Sequence, residues 1–177
     1  MTTIPELFDL TGRAAIVTGG ASGLGQYYAQ ALIGAGADVF VVSRSEKGWQ
    51  ELRQFAAQHG RQVVFMTQDL TAEQAAINVI TEFKKHFESL DILINNAGVQ
   101  IRNDIVSYRD EDWQKVIDIN LNALYYLSHE AAKVMITQKS GKIINIGSMQ
   151  SFRAGKYIYP YAASKHAVVG LTKAYAD

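Results

Sequence analysis

Ala14-Ala15-Ile16-Val17-Thr18-Gly19-Gly20-Ala21-Ser22-Gly23-Leu24-Gly25 is the stretch on which the fold turns. Its first five residues form an apolar, partly β-branched run too short for a helix, as expected for a strand buried on both faces of a parallel sheet. The glycines that follow have the pattern TGxxxGxG. Glycines there permit a tight turn and let backbone N–H groups approach a pyrophosphate at a helix N-terminus. A plain glycine-rich turn between strand and helix is the blander alternative.

Working outward, runs of the same kind recur at Val39–Val42, Val63–Met66, Ile92–Asn95 and Ile143–Ile146. Helical spacing fills the gaps between them. Leu24, Tyr28, Ala31, Leu32 and Ala35 share one face, as do Trp49, Leu52, Phe55 and Ala56. Thr71, with Gln74 three residues on, reads as a cap ahead of Ile77, Ile80, Phe83 and Phe87. A long pattern covers Asp110 to Thr137, and a last one begins near Tyr159 and is still running at Asp177. Strand–helix alternation predicts a doubly wound parallel α/β sheet with right-handed crossovers. Five strands are fewer than the six of the full dinucleotide-binding fold. The expectation is therefore one domain over residues 1–177, truncated after the fifth strand and its helix, with that strand an uncovered edge.

Composition narrows the class. Of 177 residues 48% are hydrophobic and 19% charged, which excludes a disordered or low-complexity chain. Lys+Arg 17 balances Asp+Glu 17, which argues against a nucleic-acid binder that relies on neutralising phosphates. There is no cysteine, hence no disulfide framework or thiolate metal site. The 24 residues Ala14–Ala37 carry no Asp, Glu, Lys or Arg, but six glycines break them, so no membrane span is expected. Met1–Arg13 lacks a basic start followed by an apolar run, pointing away from a signal peptide and towards the cytoplasm. His59, His86, His129 and His166 show no metal spacing and read as surface or capping residues. Tyr125, Tyr126, Tyr157 and Tyr159 read as packing.

Ligands of open α/β sheets bind beyond the carboxyl ends of the strands, and the unusual residues of this chain fall there. They are Thr18–Gly25, Ser43-Arg44-Ser45, Asp69, Asn95-Asn96-Ala97-Gly98 and Ser148. Tyr161 and Lys165, four apart, lie on one helical face 13 and 17 residues after Ser148. Asn120 is a polar residue amid the apolar Ile119 and Leu121 of the long helix, and a buried amide needs partners.

TGGASGLG, NNAG, Asn120, Ser148 and YAASK, in this order and spacing, closely resemble the short-chain dehydrogenase/reductase family. The resemblance implies a Rossmann fold and an NAD(P)-dependent oxidoreductase acting on an alcohol or ketone. It implies that Gly19, Gly23 and Gly25 hold the pyrophosphate, with Ser22, Leu24, Ser43, Arg44 and Leu70 also contacting the cofactor. Asp69 would bond the adenine amino group, and Asn96, Ala97 and Gly98 would lie along the cofactor. Asn120, Ser148, Tyr161 and Lys165 would be the catalytic tetrad, Tyr161 moving the proton and Ser148 orienting the reacting oxygen. Lys165 would also bind ribose hydroxyls, and Asn120 would hold a water relaying protons to it. The resemblance further implies a homo-oligomer, a tetramer in form.

NNAGVQIRND and GKIINIGSMQSF look like the 2-deoxy-D-gluconate 3-dehydrogenase and 2-dehydro-3-deoxy-D-gluconate 5-dehydrogenase group. That implies a sugar-acid substrate, with Arg102, Ser148, Gln150, Arg153 and Tyr161 as substrate contacts and Lys156 a weaker candidate. A reductase of 3-oxoacyl thioesters and a catalytically idle NAD(P)-binding sensor stay open as alternatives. At the second strand end an acid would suit NAD(H) and an arginine NADP(H). Val42-Ser43-Arg44-Ser45 favours NADP(H), with Glu46 the blurring neighbour.

Overall fold

The computed structural model describes residues 7–153 and 155–176. The reading of Met1–Arg13 rests partly on residues outside that range, and so does the continuation of the last helix to Asp177. Five parallel strands form one sheet: β1 (Ala14–Thr18), β2 (Asp38–Ser43), β3 (Val63–Thr67), β4 (Ile92–Asn95) and β5 (Lys142–Asn145). Their order is β3-β2-β1-β4-β5, with Ile16 opposite both Phe40 and Leu93. The helices are α1 (Gly23–Gly34), α2 (Trp49–Gln58), α3 (Ala75–Phe83), α4 (Asp110–Ile117), α5 (Ala123–Gln138) and α6 (Tyr159–Ala176). A π-helical turn, Asp118–Asn122, joins α4 to α5. This is the doubly wound α/β arrangement that the alternation predicted.

Alternate side chains of the central strands feed two cores. Ile16, Phe40, Val42 and Leu93 pack with Val79 and Phe83 of α3 and Leu127 and Ala131 of α5. Ala15, Val17, Val39, Val41 and Ile94 pack with Ala29 and Ile33 of α1 and Leu52 and Ala56 of α2. Each fully buried Val, Leu, Ile or Phe contributes about 1.5–3 kcal/mol, so the inner strands are the rigid platform of the fold.

Several expectations need correction. Burial on both faces holds for β1 and β2 and fails at the two edges: β3 is only partly buried, and Ile144 of β5 is well exposed. On α1, Tyr28 and Leu32 pack against the second core as expected, but Leu24 and Ala31 face outward and Gly25, Ala29 and Ile33 turn fully inward, Gly25 so close to the Gly19 carbonyl that a Cβ would collide with it. Thr71 caps no helix; its N–H and hydroxyl both donate to Asp69 Oδ1, and α3 starts after Gln74. Ile77 is outside the core. The aromatic rings of Tyr125 and Tyr126 contact each other but stay exposed.

At the amino ends of β1 and β4, away from the glycine loop, Asp91 accepts from Ala14 N (3.0 Å), Ser89 Oγ (2.7 Å) and Arg13 Nη1 (2.8 Å). Burial alone would raise its carboxyl, yet these donors together hold it below the ordinary carboxylate range. A lowered folded value contributes stability above pH about 4, lost as the pH falls through that value. Asp91→Asn should therefore cost about 1–3 kcal/mol at pH 7, and less at pH 3, in urea unfolding. An equal difference at both pH values would show that the carboxylate charge is not what holds this clamp.

Candidate active site

The glycine loop leaves β1 through Gly19, whose φ is +65° and whose N–H donates to Val42 O at 2.7 Å. Ser22 precedes α1 in extended backbone and makes no side-chain cap bond, and no acid occupies the first turn. The first amides of α1 are thus left for a ligand. Gly23 (φ +52°) has open space where a Cβ would stand, so backbone can approach a bound group closely. A 220 Å³ cleft begins here, walled by Gly19 and Ser22, by Ser43-Arg44-Ser45 and by Leu70, Ala97 and Gly98. It meets a second cleft of 430 Å³ at Arg44, Val99 and Ile119, which adds Asp69 and Lys115. The Thr71 N–H and hydroxyl hold the Asp69 carboxyl below its ordinary value, and Arg44 nearby adds to this. A flat dinucleotide with a charged middle fits these residues: glycines and free amides at the centre, polar side chains at the β2 end.

Thr18 builds the next wall. Its hydroxyl donates to Ile94 O and accepts from Asn96 N (2.9 Å) and Ala97 N (3.0 Å), while Asn96 Nδ2 donates to Thr18 O. Asn95 donates to Ser128 Oγ and Asn145 Oδ1, tying β4 to α5 and β5. Asn120 is fully buried within the π turn. Its Oδ1 accepts from Val99 N (2.8 Å), and its Nδ2 donates to Val99 O (3.0 Å) and Ser164 Oγ (3.2 Å). Both side-chain N–H groups are thereby used. A water relayed through Asn120 would therefore find no side-chain donor there.

Ser148 ends β5 and opens the short turn Met149–Ser151. Its Oγ accepts from Gln150 N at 3.1 Å, and its own N–H donates to Ser151 Oγ. The hydroxyl hydrogen remains free to donate outward. That turn packs on α6, whose first turns carry Tyr161 and Lys165. Lys165 is 5% exposed, and its ammonium donates to Ile146 O at 2.6 Å and stands 5.9 Å from the Tyr161 ring centre. Burial lowers the Lys165 pKa from its ordinary value. Among the described residues the Tyr161 hydroxyl makes no hydrogen bond. The structure thus gathers Asn120, Ser148, Tyr161 and Lys165 at one end of the sheet.

Arg102, Arg153 and Lys156 are exposed on two loops and join no ion pair among the described residues. Gln150 Oε1 is buried with no partner among the described residues and lies close to Gly155. The two loops are stitched by Asn103 N donating to Tyr157 O at 3.1 Å. Sequence reasoning put Thr18 on the strand-end rim without giving it a role, and missed the Ile146 carbonyl and the left-handed Tyr157 (φ +66°). The role of Thr18 could have been found from the TG pair, because a buried threonine at a strand end must satisfy its hydroxyl. The other two leave no side-chain signature.

The family model described as short chain dehydrogenase matches residues 13–177. An uncharacterised oxidoreductase of Escherichia coli strain K12, YgcW, is 46% identical over 97% of this chain and 66% of its own length. The 2-dehydro-3-deoxy-D-gluconate 5-dehydrogenase of Bacillus subtilis strain 168 is 40% identical over 97% of this chain and 67% of its own. A crystal structure from Agrobacterium tumefaciens, provisionally named 2-deoxy-D-gluconate 3-dehydrogenase and determined with bound NADP, superposes with a TM-score of 0.86. It is 37% identical and covers 98% of this chain, 68% of its own. The chain spans about two thirds of the length of the curated relatives it matches.

Proposed function

The chain belongs to the short chain dehydrogenase family, and we propose that it transfers a hydride between a nicotinamide cofactor and a secondary hydroxyl or keto group of a sugar acid. The observation that carries the substrate class is the 40% identity to a 2-dehydro-3-deoxy-D-gluconate 5-dehydrogenase. A 3-oxoacyl-thioester reductase is less supported, since the relative of that name stands at 30%. A homo-oligomer in the cytoplasm, and a single NAD(P)-binding domain over residues 1–177, complete the reading. Exposed Tyr125, Tyr126 and Tyr175 on the two long helices support association. No helix among the described residues is long and apolar enough to cross a membrane.

When bound, the nicotinamide cofactor takes up or gives the hydride. Gly19, Ser22, Gly23, Leu24 and Gly25 hold its pyrophosphate end, with Ser43, Arg44, Asp69 and Leu70 at the adenosine end and Asn96, Ala97 and Gly98 alongside. In oxidation, Tyr161 Oη accepts the proton of the substrate hydroxyl; in reduction it returns that proton to the carbonyl oxygen. Ser148 donates its free hydrogen to the same oxygen and fixes it beside Tyr161. The Lys165 ammonium, anchored on the Ile146 carbonyl beside the Tyr161 ring, reaches the ribose hydroxyls. Asn120 holds the π turn to Val99 and to Ser164, the residue next to Lys165. Arg102, Gln150 and Arg153 face the substrate.

The experiment is a substrate panel followed by the near-ultraviolet absorbance of reduced nicotinamide. Turnover of hexonates or deoxyhexonates is expected; turnover of acyl thioesters alone overturns the reading. Cofactor choice is tested separately. Arg44 lines both clefts and no acid stands at the β2 tip, so we favour NADP(H) over NAD(H). Arg44→Ala should weaken NADPH binding about tenfold, about 1.4 kcal/mol, and leave NADH nearly unchanged. An unchanged ratio of the two affinities would remove Arg44 as the reader.

A further inference from the structure

We propose that Lys156, held over the ring of Tyr157, is the second cation of the substrate-carboxylate seat beside Arg102; this rests on the sugar-acid reading. The starting observation is backbone strain. Tyr157 has a φ of +66°, a region that a bulky L-residue adopts only when its surroundings over-determine it, and such residues cluster at ligand clamps. Glycine or asparagine would sit there with less strain. Gln74 and Lys139 share a positive φ, and of the three Tyr157 is the one with an aromatic ring, on the loop between Ser148 and Tyr161.

Two contacts place Tyr157 between the loops. The Tyr157 carbonyl accepts from Asn103 N at 3.1 Å, so Arg102 and Lys156 are the residues immediately preceding the two halves of one hydrogen bond. The Lys156 ammonium stands 4.7 Å from the Tyr157 ring centre, within cation–π range. A lysine stem is long and mobile, and the ring fixes its head. Charge points the same way. Between Ser148 and Tyr161 the chain carries Arg153 and Lys156 and no carboxylate, and residues 99–109 carry one acid, Asp104. Neither Arg102 nor Lys156 joins an ion pair among the described residues, so both are available to a ligand. Two cations left unpaired on stitched loops that adjoin Gly98 and Tyr161 suit one planar carboxylate: Arg102 in bidentate fashion, Lys156 as a point charge.

Three variants of the full chain test this, with hexonate varied at saturating cofactor. Lys156→Met keeps the stem and removes the charge; KM for the hexonate should rise about five- to tenfold while kcat holds. KM for a neutral polyol should not follow. Lys156→Arg should restore most of the loss. Tyr157→Gly relieves the strain, so the thermal midpoint should hold or rise while KM for the hexonate still rises. A purely structural Tyr157 would instead lower the midpoint and spare KM. If the unmodified chain turns over hexonates and Lys156→Met leaves their KM unchanged, or raises hexonate and polyol alike, the seat is wrong and the sugar-acid reading stands. If the unmodified chain turns over acyl thioesters and no hexonate, both fall.

Discussion

Tyr161→Phe should lower turnover by about 10²–10⁴-fold while cofactor affinity stays nearly constant. The variant removes one oxygen and leaves a ring of the same shape on the first turns of α6. Lys165 does not depend on that oxygen for its place, because its ammonium is anchored on the Ile146 carbonyl. The glycine loop and the Arg44 wall are held by contacts to β2 and β4 that do not involve α6. Ser148 keeps its hydrogen bond from Gln150 N, so the reacting oxygen would still find one donor. What disappears is the group proposed to carry the proton. Stopped-flow turnover and fluorescence titration with reduced cofactor separate the two readouts. Near-wild-type turnover would sink the assignment of Tyr161.

The inner strands were legible because burial on both faces leaves its mark on every residue of a run. β1 and β4 have the predicted bounds, and β2 gains one residue at each end. Edges were less legible. β5 begins one residue earlier, at an exposed lysine, since backbone pairing with β4 and not apolar burial defines it. Helix faces were readable only where packing alone sets them. On α1 Tyr28 and Leu32 were readable, whereas the tightest inward position, Gly25 against Gly19, has no side chain to announce it. The π turn is invisible for another reason: the apolar spacing of 110–137 continues straight through it, and one inserted residue per turn shifts register without changing composition. The polar members of the site stood out because they interrupt apolar runs or end strands. Tyr157 and the Ile146 carbonyl act through backbone geometry, which no residue type spells out.

Arg102→Ala should raise KM for a hexonate by one to two orders of magnitude, about 1.4–2.8 kcal/mol, at unchanged cofactor affinity. Arg102 follows Gly98 by four residues, so it starts from the β4 end that also carries the proposed cofactor wall. Its loop is internally braced: Tyr108 Oη donates to Ile101 O at 2.9 Å and Asn103 Nδ2 to Ser107 O at 2.9 Å. Those bonds use backbone and neighbouring side chains, and none uses the guanidinium. Truncating Arg102 therefore takes away a charge and a pair of donors while the loop keeps its own supports and the stitch to Tyr157. A carboxylate loses its bidentate partner, and a hydroxyl-only substrate has nothing to lose. The expected effect is larger than that of Lys156→Met because a planar fork gives two aligned donors where an ammonium gives one centre of charge. A neutral polyol is the control. An equal loss on hexonate and polyol would show that Arg102 shapes the loop and does not bind the carboxylate.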